Sequence, residues 1–393
     1  MEGKRILILG GGVGGLSAAY HLRAALPPEH QIVVIGKDSN FYLCPLNMRL
    51  ISGEMKHPRE AERDLSNLKT KGIQWIHGEV LEINQEKKVV HTTAGTLEGD
   101  YIIIALGVER VPDAIAGFSQ AAYNFYDRYG ALELKQRLDE FNGGRIVILI
   151  CSTTFSCLAT PFEAAFLIDS LFRKKAIRQN VEIAIYTPET QPVPLAGASM
   201  GKPICDLLTA RGIEYHPLTQ IERIEPDAHR LVFKETEVPF DLLAAVPIHM
   251  APPVVQKAGL TDETGWIPVN LQTLETKYTD VFAIGDVTSV QQPNPTGFFL
   301  PKNWVIAEEQ GRVVAKNIAA QILGGGERST FKGKSFCYLG VGGGYDGAEE
   351  FEAMYSLANF YGYPEPIVYM EFPSKQFFKE REALERELVE KLI

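Results

Sequence analysis

Short apolar runs and segments of helical spacing alternate from the first residues of the chain onward. Arg5-Ile-Leu-Ile-Leu9, Gln31-Ile-Val-Val-Ile35 and Tyr101-Ile-Ile-Ile-Ala105 carry a polar residue only at their first position. A strand apolar on both faces belongs to a parallel sheet covered by helices on either side, because such a sheet has no solvated face. The pattern therefore predicts strands at 6–9, 31–35, 73–77 and 101–105, a helix over 14–25, and a Thr/Val-rich pair of strands near 89–93. The alternation resumes between about 108 and 240, with strands at 146–150, 182–186 and 214–216, while 242–246 and 281–284 read as strands returning to the first unit. A long helix is expected from Pro301, closed by Gly324-Gly325-Gly326, since glycine readily takes the left-handed conformation that ends a helix. The stretch 377–393 has helical spacing, with Phe377, Phe378, Leu384, Leu388 and Leu392 available for one stripe. Such a helix docks on the protein's own body, or contacts a membrane surface or a partner. The alternation makes the fold class α/β.

The chain has 393 residues, enough for two or three domains, and its 45% hydrophobic and 22% charged content is that of a globular protein. A net charge of −10, with no Lys/Arg-rich run, argues against nucleic acid as a partner. No run of eighteen apolar residues spans a bilayer, and the first strand arrives too early for a signal peptide. The expectation is a cytoplasmic protein with, at most, peripheral contact at the inner face of the cell membrane. Five cysteines at irregular spacing do not form a secreted disulfide framework, and without a CxxC pair or a histidine cluster they do not suggest zinc. Inert thiols or redox chemistry remain.

Three glycine-bearing segments carry the first chemical signal. Gly10-Gly11-Gly12-Val13-Gly14-Gly15 lies between a strand and a helix. Gly10 permits the tight turn, Gly12 lets a pyrophosphate approach the backbone, and Gly15 lets helix and strand pack closely, while the helix N-terminus offers N–H groups to the phosphates. The acidic residue expected after the second strand is replaced by Gly36, which leaves Asp38 as the candidate for the ribose hydroxyls. Tyr101-Ile-Ile-Ile-Ala-Leu-Gly107 and Val281-Phe-Ala-Ile-Gly285-Asp286-Val287 follow in order. Together these segments resemble the three FAD signatures of the two-dinucleotide-binding-domain flavoproteins. That resemblance implies FAD, two Rossmann-like domains, and a ribityl-binding role for Asp286. The expected division is 1–107 and 241–323 for the FAD-binding domain, 108–240 for a second Rossmann-like domain, and 324–393 for a C-terminal region.

In the second unit the loop after the strand at 145–150 runs Cys151-Ser-Thr-Thr-Phe-Ser-Cys157, with no glycine. Close approach of a second pyrophosphate needs glycine there, so electrons are expected from a donor other than nicotinamide. Cys157 precedes Thr160-Pro161-Phe162-Glu163, which has the form of a capping box, and a thiol ahead of a helix N-terminus sits in potential that favours its thiolate. Cys337 follows far along the chain. Read from the residues alone, both are inert core thiols or a redox pair.

Those segments, with Gly265-Trp-Ile-Pro-Val269 and Leu300-Pro-Lys302, resemble the sulfide:quinone oxidoreductase and flavocytochrome c sulfide dehydrogenase family over essentially the whole chain. The resemblance implies that Cys157 and Cys337 form a redox disulfide beside FAD, that sulfide is oxidised to sulfur or polysulfide, and that FAD passes electrons to a quinone. It also implies a homo-oligomer. Asn40-Phe-Tyr-Leu-Cys44-Pro resembles the segment that binds flavin covalently in the dehydrogenase branch, so Cys44 is either a thioether link or a packed thiol. Glu163 is a base for sulfide or for Cys157, or a capping-box partner. Lys302, at the start of the long helix, is expected to stabilise the reduced flavin, or to be a solvated lysine. His249 reads as a loop residue, Cys151 as a buried thiol or a carrier of sulfur, and Cys205 as core. A channel for the quinone is placed near Phe298 and Phe299. Four other readings stay open: a cytochrome acceptor, a type II NADH dehydrogenase-like enzyme, a coenzyme A disulfide reductase-like enzyme, and a non-catalytic flavin-bound interaction or sensor protein.

Overall fold

A computed structural model describes residues 3–196, 198–289, 300–326, 328–343, 350–358, 367–370 and 375–393. Two five-stranded parallel sheets form its frame. The first has the order Val281–Ala283, Tyr101–Ile104, Arg5–Leu9, Gln31–Gly36, Gln74–His77, in register from Ile6 opposite Ile32 to Leu9 opposite Ile104. Ile6, Leu7, Ile8 and Leu9 are fully buried, as strands covered on both faces must be. The helix Val13–Ala25 packs along this sheet against the longer helix Trp304–Leu323.

The second sheet has the order Ala122–Asn124, Leu242–Val246, Gly144–Ile150, Val181–Tyr186, Ile213–His216, again all parallel. Here one expectation fails. Leu242–Val246, read as returning to the first sheet, lies between two strands of the second, with Val147 opposite Leu243. An all-apolar run satisfies either sheet equally, so its composition does not decide between them. The run at 281–284 does return to the first sheet, as Val281–Ala283.

An antiparallel sheet of Lys334–Gly343, Glu350–Ala358 and Ile367–Met370 follows the long helix. Its first strand packs on the helix Thr160–Lys174 so closely that a Cβ at Gly342 would strike Ser170. That approach brings Cys337 to the same side of the molecule as Cys157.

The long helix begins at Trp304, not Pro301, because the Asn303 side chain accepts the Ile306 N–H at 2.9 Å and so defines the N-cap. It ends at Gly324 (φ 69°), as expected. The last helix, Lys375–Leu392, docks on the body of the protein: Leu388 and Leu392 are buried, Lys391 pairs with Glu308 at 2.9 Å, and Lys71 donates to the carbonyls of Glu390 and Lys391. Among the described residues no helix is long and apolar enough to cross a membrane.

Candidate active site

A cleft of about 720 Å³ opens along the C-terminal edge of the first sheet and runs to the start of the second. The glycine loop forms one end of it. Gly10 has φ 118°, and a side chain there would strike the Ala105 carbonyl; a Cβ at Gly15 would strike the Gly10 carbonyl. A Cβ at Gly12, in contrast, meets nothing within 4 Å, because that face opens into the cleft. Gly12 is also the N-cap of Val13–Ala25 and provides no side-chain cap, which leaves the first N–H groups of the helix for a ligand. Gly14 packs near Ala307. Gly10, Gly12 and Gly15 thus have the steric surroundings that a dinucleotide loop requires.

Gly36 has its own cause: a Cβ there would lie 2.8 Å from the Trp75 ring. Asp38 is exposed at the cleft rim, and Gly107 (φ 67°), Gly285 (φ 72°) and Asp286 line the wall. The Gly285 N–H donates to Gln310 Oε1 at 2.6 Å, fixing the turn that presents Asp286.

At the far end the cleft meets sulfur. Cys157 lines it and sits at φ 54°, a left-handed conformation that costs a non-glycine residue about 1 kcal/mol. Four contacts hold it there. Its N–H donates to Lys302 O at 2.7 Å, its carbonyl accepts from Thr160 N at 2.9 Å and from the Tyr126 hydroxyl at 3.1 Å, and the adjacent Ser156 Oγ donates to Asp286 Oδ2 at 2.5 Å. The sulfur-bearing loop and the third glycine signature are thus one hydrogen-bonded unit.

Two local expectations are corrected. The Thr160–Glu163 segment is no capping box: Thr160 is already helical, Ala159 is the N-cap, and no side chain caps the helix. Nor is the Cys157 thiolate favoured. Burial first, then the proximity of Cys337, Asp286, Cys44 and Glu163, pushes its pKa well above that of an ordinary thiol. The Cys337 strand packs on the helix that follows Cys157, and no disulfide joins the described cysteines in the structure.

Glu163 is 4% exposed, and its Oε1 accepts from Arg381 Nη1 at 2.6 Å. Lys302 is no solvated lysine either. Its ammonium lies 3.6 Å from the centre of the Trp266 ring and donates to the carbonyls of Asp286 (2.7 Å) and Thr288 (2.8 Å), while burial lowers its pKa to about 8. It braces the Asp286 turn from behind, and Asn303 and Trp304 take the place at the cleft wall.

Cys44 is exposed on the cleft, 3.5 Å from Arg110 Nη2. Cys151 is buried at 1% exposure, with its thiol pushed up to about 12, and Cys205 lies half-buried on the helix Ala198–Ala210. Phe298 and Phe299 lie outside the described residues.

Sequence reasoning missed Arg110, Tyr126 and Arg381 and misplaced His249. Arg110 lines the cleft and has a buried Nε without a hydrogen-bond partner. His249 belongs to the strand Ile248–Met250, opposite Arg110, and packs against the rings of Tyr126 and Phe155. The signal for Arg381 was present: Arg381 and Glu385 interrupt the apolar stripe of Phe377, Leu384 and Leu388, which suits charges that are paired inside the protein.

The sequence profile of the pyridine nucleotide-disulphide oxidoreductase family matches residues 4–311. The chain belongs to this family. Within it, the chain is 27% identical over 358 residues to a sulfide-quinone reductase of Aquifex aeolicus, covering 86% of this chain and 81% of that protein. It is 26% identical over 299 residues to a mitochondrial sulfide:quinone oxidoreductase of Mus musculus, covering 72% of this chain and 66% of that protein, just short of two thirds of its length. The crystal structure of the sulfide:quinone oxidoreductase from Aquifex aeolicus superposes with a TM-score of 0.86 at 23% identity, over 99% of this chain and 91% of that one, and shows the same fold. FAD is accordingly the cofactor, and the open face at Gly12, the uncapped helix end and the unpaired Arg110 Nε along this cleft fit the group.

Proposed function

We propose that the chain oxidises sulfide at Cys157 and Cys337 and passes the electrons through FAD to a quinone. One observation carries the reading: Cys157 stands at the end of the FAD cleft, in the loop where a second nucleotide-binding domain would hold glycine, and the Cys337 strand packs against the helix it precedes. The relatives named for sulfide and quinone support it.

In the oxidised protein the two cysteines are joined. Hydrosulfide bonds to one sulfur and the S–S pair leaves on the other, giving a persulfide and a thiolate. The Tyr126 hydroxyl and the Lys302 carbonyl hold the Cys157 backbone in place during the exchange, and Glu163, on the first turn of the helix that follows, is the candidate proton acceptor. FAD, bound along Gly10 to Gly15 and Asp286, supplies the two-electron acceptor.

Anaerobic titration of the purified flavoprotein tests this. Sulfide bleaches the flavin, NADH does not, and decylubiquinone restores the colour. Cys157→Ser and Cys337→Ser each keep FAD but lose bleaching by sulfide; full activity in either variant ends the proposal.

A second reading concerns attachment. Cys44 lines the cleft beside Arg110, and a thioether from its thiol would form as the 8α-methyl of the flavin loses a proton and the flavin takes up the electron pair, later passed to the quinone. Denatured protein then stays yellow, and Cys44→Ala releases the colour into the supernatant; free flavin from the parent after acid precipitation would show the contact to be packing alone.

A further inference from the structure

Glu163 and the guanidinium it faces lie 218 residues apart in the chain. Arg381, on the last helix, donates to Glu163 through Nη1 (2.6 Å) and to Glu385 through Nε (2.9 Å). The other Glu385 oxygen accepts from Arg49 Nη2 at 2.7 Å, and Arg49 Nη1 reaches Glu382 at 3.0 Å on the solvent side. Glu163, Arg381 and Glu385 are 4%, 7% and 4% exposed. Carboxylates so buried stay ionised only when paired, and two arginines here neutralise two fully buried carboxylates.

Among the described residues, the ionisable groups that act on Glu163 include Arg381 and Glu385 on the last helix and Glu54 after the helix Asn47–Ser52; Arg49 of that helix holds Glu385, and Cys157 lies in the loop before Glu163. Burial raises the Glu163 pKa, Arg381 opposes that rise, and Glu385 and Glu54 add to it.

We propose that Arg381 is a positioning residue of the sulfide site: from the last helix it holds Glu163 ionised on the first turn of the helix that follows Cys157, keeping the proton acceptor ready. This rests on the sulfide reading above. Glu163 takes one proton from hydrogen sulfide, and the hydrosulfide so formed bonds to one cysteine. The disulfide electron pair leaves on the other cysteine, so that one carboxylate charge becomes one thiolate charge.

The test is the pH dependence of anaerobic flavin reduction by sulfide, compared across variants so that the titration of sulfide itself cancels. Arg381→Met moves the acid limb upward by about one pH unit, a loss of about tenfold on that limb. Arg381→Lys keeps the charge and stays within about threefold of the parent. Glu385→Gln removes an opposing carboxylate and moves the limb the other way. Glu163→Gln abolishes the limb, and adding Arg381→Met to it changes nothing further. A uniform loss at every pH, or a limb displaced as far by Arg381→Lys as by Arg381→Met, would overturn the proposal in favour of plain packing. Should Arg381→Met not fold, an unmoved limb in Glu385→Gln overturns it equally.

Infrared spectra of sulfide-free protein at pH 7 give a readout independent of turnover. A protonated-carboxyl band appears in Arg381→Met and vanishes when Glu163→Gln is added; its absence overturns the proposal. If the band appears but sulfide does not bleach the parent, the clamp stands and the substrate assignment falls.

Discussion

His249 is the most isolated polar side chain near the sulfur centre. Neither ring nitrogen has a hydrogen-bond partner, and the ring packs 5.4 Å from Tyr126 and 6.4 Å from Phe155, centre to centre. Burial, with Arg110 and Lys302 nearby, lowers its pKa from 6.5 to about 3. The folded protein therefore binds this proton less readily than the unfolded chain. The contribution to stability is complete above pH 6.5 and is lost as pH falls from there toward 3, by about 1.4 kcal/mol per pH unit. His249→Phe keeps the ring packing and removes the proton site, so thermal melts between pH 4 and 8 should show a flatter acid limb than the parent; an unchanged limb would place the acid sensitivity elsewhere. Nothing in Pro247-Ile-His249-Met announced this. A histidine reads identically in a loop and in a buried strand, and only the pairing with Arg110 separates the two.

At the scale of elements, the glycine loop was the most legible part of the chain, because Gly10 and Gly15 answer steric demands that the strand–turn–helix motif itself creates. The structure separates those demands. Gly15 lies where the helix Val13–Ala25 meets the loop, whereas Gly12 faces only the cleft. Gly15→Ala should cost about 1–3 kcal/mol by overpacking and lower the melting temperature even without cofactor. Gly12→Ala should leave the apoprotein melt unchanged and weaken FAD retention alone, as read by the flavin-to-protein absorbance ratio. The helix after Cys157 was less legible. Thr160-Pro161-Phe162-Glu163 has the spacing of a capping box, but the left-handed turn at Cys157 starts the helix a residue early, and Glu163 is left to pair with Arg381. Sequence spacing records which residues can cap; it does not record a distant guanidinium competing for the carboxylate.

For the molecule as a whole, the two parallel sheets followed from apolar runs of strand length, and the strand Leu242–Val246 went to the wrong sheet because nothing in its composition is specific to either. The last helix was open between docking and outside contact; its ion pairs to Arg49, Glu163 and Glu308 show docking. Removing residues 375–393 should expose apolar surface and leave Glu163 buried without its guanidinium. The melting temperature should fall by roughly 5 °C or more, given the ~3–5 kcal/mol cost of breaking a buried ion pair. Differential scanning fluorimetry checks this, and an unmoved melt would mean that the helix contributes little to the fold.

The hydrogen bond from Ser156 to Asp286 has a consequence for assembly. It fastens the arm that carries Cys157 to the turn that carries Asp286, so a shift of either segment as the chain takes up its cofactor is passed to the other.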